Sequence, residues 1–284
     1  MLYPSNYVNK IINRIIWVTQ KSTEEEESKA LKREEQKERI KRNSFIHSMN
    51  EIKKIRKISI WIFLIPFISI NICLILSQIF PYGEVFAIGD AISEDWRPWI
   101  IPYIDGHSSI SRVVRVYPNS LIFKPSMILT AILLMIYWTN VKSLIKKINK
   151  DHKHLNKVFY CGVASAIFLI LHSIFLGMKF ELSLLKLLRR IVLLSFIILE
   201  ITAQAYLILI LFEIKSKIKT LINEKILILK RILVTILIVA AIAIAPFLPF
   251  SNLKVLKHML EWNYLLGIIT FYLLTFFMWK VEKN

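Results

Sequence analysis

A chain of 284 residues that is 55% hydrophobic, with only 6 glycines and a mean hydropathy of +0.53, is not composed like a soluble domain. The formal net charge of +18 would suit a nucleic-acid binder, but lysine and arginine lie mostly between apolar runs rather than on one surface, and membrane topology accounts for them. Cys73 and Cys161 both fall inside apolar runs, so neither a disulfide framework nor a thiolate metal site is indicated.

The N-terminus lacks the basic segment, apolar core and cleavage site of a signal peptide. Val8, Ile11, Ile12, Ile15 and Ile16 recur at helical spacing beside Trp17, which predicts an amphipathic helix lying in a membrane interface or packed on the rest of the protein. From Lys21 to Lys57 charge is dense, and Glu25 with Lys29, Glu35 with Arg39 and Glu38 with Arg42 set acid before base at i,i+4. This predicts a solvated, charged cytoplasmic helix. Leu31, Ile40 and Phe45 are too sparse to form a coiled-coil seam.

Apolar runs of roughly 17 to 23 residues then follow, each long enough at about 1.5 Å per residue to cross a hydrocarbon core of about 30 Å. They predict six spans, at about 58–80, 127–145, 158–178, 191–212, 232–248 and 263–279. The expected division is thus an N-terminal segment 1–57, a transmembrane domain 58–280 with an outer loop 81–126, and a tail 281–284. With six spans both termini share a side, and that side carries 28 of the 38 lysines and arginines, which predicts cytoplasmic termini. Only the third loop, with Lys179, Lys186, Arg189 and Arg190, strains the bias. The fifth span is short and ends at Pro246 and Pro249, while Trp138, Trp262 and Trp279 fall near span ends, where indoles favour the interface.

The outer loop holds Glu84, Asp90, Glu94, Asp95, Asp105 and His107 beside Trp96, Trp99, Ile100 and Ile101. So much aromatic and β-branched surface argues against disorder and predicts a cap folded over the outer helix ends. Asp90, Asp105 and His107 can be read as a hydrolytic or metal site, or as a hydrogen-bonded loop partnered by Arg97, Arg112 and Arg115. Without an HExxH or a GxSxG motif, the second reading is preferred and no catalytic residue is assigned.

Inside the spans Glu200 is the one acidic residue near a midpoint, with Thr202 and Gln204 following. Ionisable groups at that depth face the bundle interior and find partners. His172 stands alone in the spans, which disfavours bis-histidine haem. Antiparallel helices would set it at a height differing from that of Glu200 by about 6 Å, within reach of a direct or water-mediated pairing. Glu200 is then either a proton or lipid-headgroup site, or a neutral acid bonded to Gln204 or to a neighbouring helix.

With the spans placed, Pro102, Tyr103, Ile104 and Asp105, followed by Arg115, Pro118 and Phe123 ahead of the second span, resemble the Frag/DRAM/Sfk family of six-span proteins. So does the Glu261-Trp262 opening of the last span with Phe271, Tyr272, Phe276 and Phe277 behind it. The likeness covers roughly residues 58 to 280. It implies lipid-linked biochemistry, non-enzymatic or unassigned: lipid-anchor remodelling, membrane lipid organisation or autophagy at lysosomal membranes. The resulting expectation is an all-α, six-span integral membrane protein that organises or handles membrane lipid. A small secondary transporter or channel using Glu200 is the alternative. Candidate lipid- or ion-binding residues are Glu200, Gln204, His172, Asp105, His107, Arg115 and Glu261; no cofactor and no nucleic-acid partner is expected. Membrane lipids are the expected partners, with homo-oligomers or a protein bound through the N-terminal segment as further ones. A bacterial inner membrane, or a eukaryotic endomembrane or plasma membrane, would house it.

Overall fold

The computed structural model describes residues 5–79, 101–149, 152–176, 183–244 and 253–280. Expectations for Glu84, Asp90, Glu94, Asp95, Trp96, Arg97, Trp99, Ile100, Lys179, Pro246, Pro249 and the tail 281–284 lie outside the described residues. Two compact units are present, Met1–Asn50 and Glu51–Asn284. In the first, Leu31 to Gln36 are exposed, in keeping with a solvated charged helix.

The helices are α1 (Ser5–Ile79), α2 (Pro102–Asp105), α3 (Ile110–Arg115), α4 (Asn119–Ile148), α5 (Leu155–Phe175), α6 (Ser183–Glu213), α7 (Glu224–Ile244) and α8 (Lys254–Met278), with a 3-10 turn at Lys215–Ile218. No strand occurs among the described residues, where pairing is limited to an isolated bridge between Ile222 and Trp279. The architecture is that of an all-α membrane protein. Among the described residues six helical stretches are long and apolar enough to span: Met49–Ile79, Asn119–Ile148, Leu155–Phe175, Leu187–Glu213, Glu224–Ala243 and Lys254–Met278. Large apolar side chains form exposed stripes at helical spacing, Ile68, Ile72, Ile75 and Ile79 on α1 and Ile232, Ile236, Val239 and Ile242 on α7. Hydrocarbon rather than water is the solvent such stripes suit.

The fifth span departs from expectation. It starts at Glu224 instead of near 232 and takes Lys230 and Arg231 into the helix. The span bounds expected from the sequence place both in the loop before it. Lys230 is in fact fully buried, which hydrogen bonding inside the bundle makes tolerable.

Packing between α4, α5 and α6 depends on small residues. On α5, Gly162, Ser165, Ala166 and Ser173 are buried on one face, and small side chains let helices approach closely. A Cβ placed on Gly162 would stand 2.4 Å from Cγ of the Trp138 indole, which is itself fully buried on α4. Gly162→Ala must therefore push the indole out of its slot. We expect a loss of about 1–3 kcal/mol, read as a lowered thermal midpoint in detergent. A midpoint equal to that of the unmodified protein would refute this packing.

At one end of the bundle the chain after α6 is tied to the end of α8, Asn223 N–H donating to Met278 O at 2.8 Å and Lys280 N–H to Leu221 O at 2.8 Å. At the other end residues 101–118 pack on the start of α8, although Ile101 and Ile104, which the cap was expected to bury, are exposed. Trp262 Nε1 donates to Ser108 O at 2.8 Å, Asn263 Nδ2 to Tyr103 O at 2.7 Å, and the Tyr103 and Trp262 rings meet edge to face at 4.9 Å. Asn119, fully buried where α4 begins, places Nδ2 within 3.0 Å of Cys73 O, 2.6 Å of Ser77 Oγ and 2.7 Å of Val113 O, joining α1, α3 and α4.

Candidate functional site

Two polar places stand out in the spanning unit, one sealed and one open. The sealed one centres on Glu200. Val192, Phe196, Glu200, Ala203 and Leu207 form the buried stripe of α6 at spacings of three and four, so the helix period that buries its neighbours carries the carboxyl inward. Glu200 Oε1 accepts from Gln204 Nε2 at 3.0 Å and from the Tyr272 hydroxyl of α8. Ser165 Oγ of α5 lies 2.6 Å from Glu200 Oε2 and 2.8 Å from Gly162 O. Gln204 also donates to Ile268 O at 3.3 Å. Three helices thus converge on one carboxyl, as intramembrane acids require. Aromatic rings wall the site, with Tyr137 and Tyr272 edge to face at 5.0 Å and Trp138 6.5 Å from Tyr272.

The network continues on the far side of that wall. Lys230 Nζ, fully buried on α7, donates to Thr275 Oγ1 at 2.7 Å and sits 3.8 Å from the centre of the Phe271 ring. Both partners belong to α8, within one turn of Tyr272. The sequence reading missed Lys230. Its signal was there: the alternation of apolar residues on both sides of Lys230-Arg231 continues one helical face from Leu227 through Val234 to Leu237.

The open site is a cavity of about 640 Å³ at the capped end of the bundle. Its walls come from Ile110, Ser111 and Val114 of α3, Phe123 and Met127 of α4, Leu169, His172 and Leu176 of α5 and its cap, Leu193, Phe196 and Ile197 of α6, and Glu261, Tyr264, Leu265 and Ile268 of α8. Much of that space is open to the surroundings, and the part a water-sized sphere can occupy is about 100 Å³, below the roughly 300–1,000 Å³ of sites that enclose a whole small molecule. The lining is almost wholly apolar. Polar groups enter at few points: His172, whose buried Nδ1 completes no hydrogen bond, the Glu261 carboxyl, which accepts the Ser111 backbone N–H, and the Ser111 side chain.

Glu200 and Gln204 therefore come together as the spacing suggested, whereas the pairing of His172 with Glu200 does not form. His172 opens into the cavity together with Glu261, and Ser165, two turns earlier on the same helix, takes the place beside Glu200. Helix stagger decides this, since an offset of two turns along α5 amounts to about 10 Å. Asp105 and His107 form a local loop structure: Asp105 accepts Ile101 N–H at 2.7 Å and His107 N–H at 3.0 Å, and the His107 ring stands 3.4 Å from the carboxylate. These bonds hold the turn into Gly106. Tyr103, in the same cap, has its hydroxyl pushed up from the ordinary phenol range by burial. Arg115 is exposed at the end of α3. Among the described residues no three His, Cys, Asp or Glu side chains group as a metal set.

Set beside known proteins, the chain matches no protein-family model, no curated protein and no solved structure.

Proposed function

We propose that this integral membrane protein handles or organises membrane lipid, and that the cavity under the cap receives part of a lipid molecule. The observation that carries this reading is the combination of an apolar lining with a few polar groups at the end where the cap meets the helix termini. A lipid needs both features: room for hydrocarbon, and donors or acceptors near its polar part. Burying apolar area in such a cavity contributes roughly 25 cal/mol per Å². Glu200 is fully enclosed and outside the lining, which favours lipid binding over transport through the glutamate. The motif likeness to the Frag/DRAM/Sfk family and cytoplasmic placement of both termini belong to the same proposal.

Met127 and Leu169 are both buried and both face the cavity, so Met127→Trp and Leu169→Trp should fill it without adding charge. Mass spectrometry of the purified protein is expected to find co-purified lipid that is reduced at least several-fold in the double variant. His172→Leu should weaken retention less than filling does. Equal lipid in the filled and unmodified proteins, both folded, would overturn the proposal.

A further inference from the structure

Arg231 is a charge on the outward side of a span. It lies two turns into α7, roughly 10 Å along the axis from Glu224, and it is exposed among Ile228, Leu229, Ile232 and Ile236, which are exposed too. Lys230 beside it turns inward and donates to Thr275, whereas among the described residues no carboxylate pairs with Arg231. The guanidinium carbon stands 5.3 Å from the centre of the Phe212 ring, in the last turn of α6. That contact fixes the direction of the side chain. Side chains on a helix lean toward its N-terminus, and for α7 this is the end where the chain arrives from α6. The stem therefore runs along the apolar stripe, and the head reaches the level at which α6 ends. A guanidinium so placed avoids hydrocarbon by seeking the nearest polar layer, which in a bilayer is the headgroups. The surroundings there are of one sign. Lys146, Lys153, Lys157, Lys217, Lys219 and Lys225 are exposed at the same end of the bundle. The described carboxylates at that end are already engaged, Glu51 with Lys147 Nζ at 3.5 Å, Glu213 with His152 Nε2 at 2.8 Å and Glu224 with Lys215 Nζ at 2.9 Å.

We infer that Arg231 and Phe212 form a surface site for the phosphate of an anionic phospholipid. The planar guanidinium donates two parallel N–H bonds to phosphate oxygens, while the Phe212 ring holds it through a cation–π contact. The acyl chains lie along the exposed stripe of Ile228, Ile232 and Ile236 toward the midplane. The neighbouring lysines favour a lipid of net negative charge over a zwitterionic one, whose own cation they repel. The apolar residues that frame Arg231 favour a lipid over a soluble polyanion such as a nucleic acid, which would leave them uncovered. This site does not rest on the cavity under the cap. Phe196, which faces that cavity, and Phe212 are about 24 Å apart along α6.

Native mass spectrometry of the full-length protein, mixed in detergent with equal amounts of phosphatidylglycerol and phosphatidylcholine, tests the site. Unmodified protein is expected to hold phosphatidylglycerol in preference. Arg231→Met keeps an apolar stem at an exposed position; it should lower bound phosphatidylglycerol at least several-fold and leave bound phosphatidylcholine unchanged. Arg231→Lys keeps the charge but loses the fork, so it should retain part of the preference. Phe212→Leu, which alters no charge, should also weaken binding of phosphatidylglycerol. Equal phosphatidylglycerol on unmodified protein and Arg231→Met would overturn the inference, as would an equal loss of both lipids. Displacement of the lipid by inorganic phosphate or by a short RNA would assign the surface to a soluble anion and overturn it too. The cavity-filling pair Met127→Trp and Leu169→Trp should keep the preference for phosphatidylglycerol, so either proposal can fail while the other stands.

Discussion

Replacing Glu200 by leucine is expected to lower the stability of the protein by about 2–5 kcal/mol, while Glu200→Gln stays within about 1 kcal/mol of the unmodified chain. The difference follows from donor counting. With leucine present, Ser165 falls back on Gly162 O and Gln204 keeps Ile268 O, but the Tyr272 hydroxyl and one Gln204 N–H are left buried without acceptors. Each stranded donor costs about 1–3 kcal/mol. Glutamine instead copies the protonated acid: its carbonyl oxygen accepts from Tyr272 and its amide donates to Ser165. Thermal unfolding of both variants in one detergent checks the ordering. A leucine variant as stable as the glutamine variant would show that the three-helix junction contributes little.

Gly106→Ala is the second change with a large expected effect. Gly106 closes α2 with φ of +63°, a left-handed conformation that costs a residue bearing a Cβ roughly 1–2 kcal/mol. The larger obstacle is space, because that Cβ would lie 2.1 Å from Val255 O and 2.9 Å from its carbonyl carbon. These are backbone atoms of α8 and cannot rotate away. The cap must lift, and with it go the contact of His258 Nδ1 with Gly106 O and the bonds from Trp262 and Asn263 to the cap backbone. We expect a loss of about 3 kcal/mol or more, together with loss of retained lipid, since Ile110, Ser111 and Val114 of the adjoining α3 wall the cavity. Normal stability with normal lipid content would mean that cap and α8 are not bound as the structure has them.

Gly106 acts at the open site and Glu200 at the sealed one, yet Ile268 belongs to both: its side chain lines the cavity, and its carbonyl accepts from Gln204. Phe196 faces the cavity one turn before Glu200 on α6. The two sites therefore share α6 and α8, and a lipid that displaces either helix would strain the hydrogen bonds at Glu200.

The sequence by itself determined the class, the number of spans and the inward turn of Glu200. Those properties follow from apolar run length against bilayer thickness and from helical period, quantities local to one segment. Gln204 beside Glu200 was legible for the same reason, since residues four apart on a helix share a face. The cap was legible in part: Tyr103 meets the Trp262 ring, whereas Ile101 and Ile104 stay exposed. Only the tertiary structure decided that Ser165 and Tyr272 complete the Glu200 site, that His172 instead opens with Glu261 into a cavity, and that Thr275 is the partner of Lys230. Each of those facts depends on which helices neighbour one another and at what stagger. Stagger is set by close-packed surfaces such as Gly162 against Trp138, where a single missing side chain fixes the register of two helices. No periodicity within one segment encodes that fit, nor which threonine on another helix holds a buried lysine.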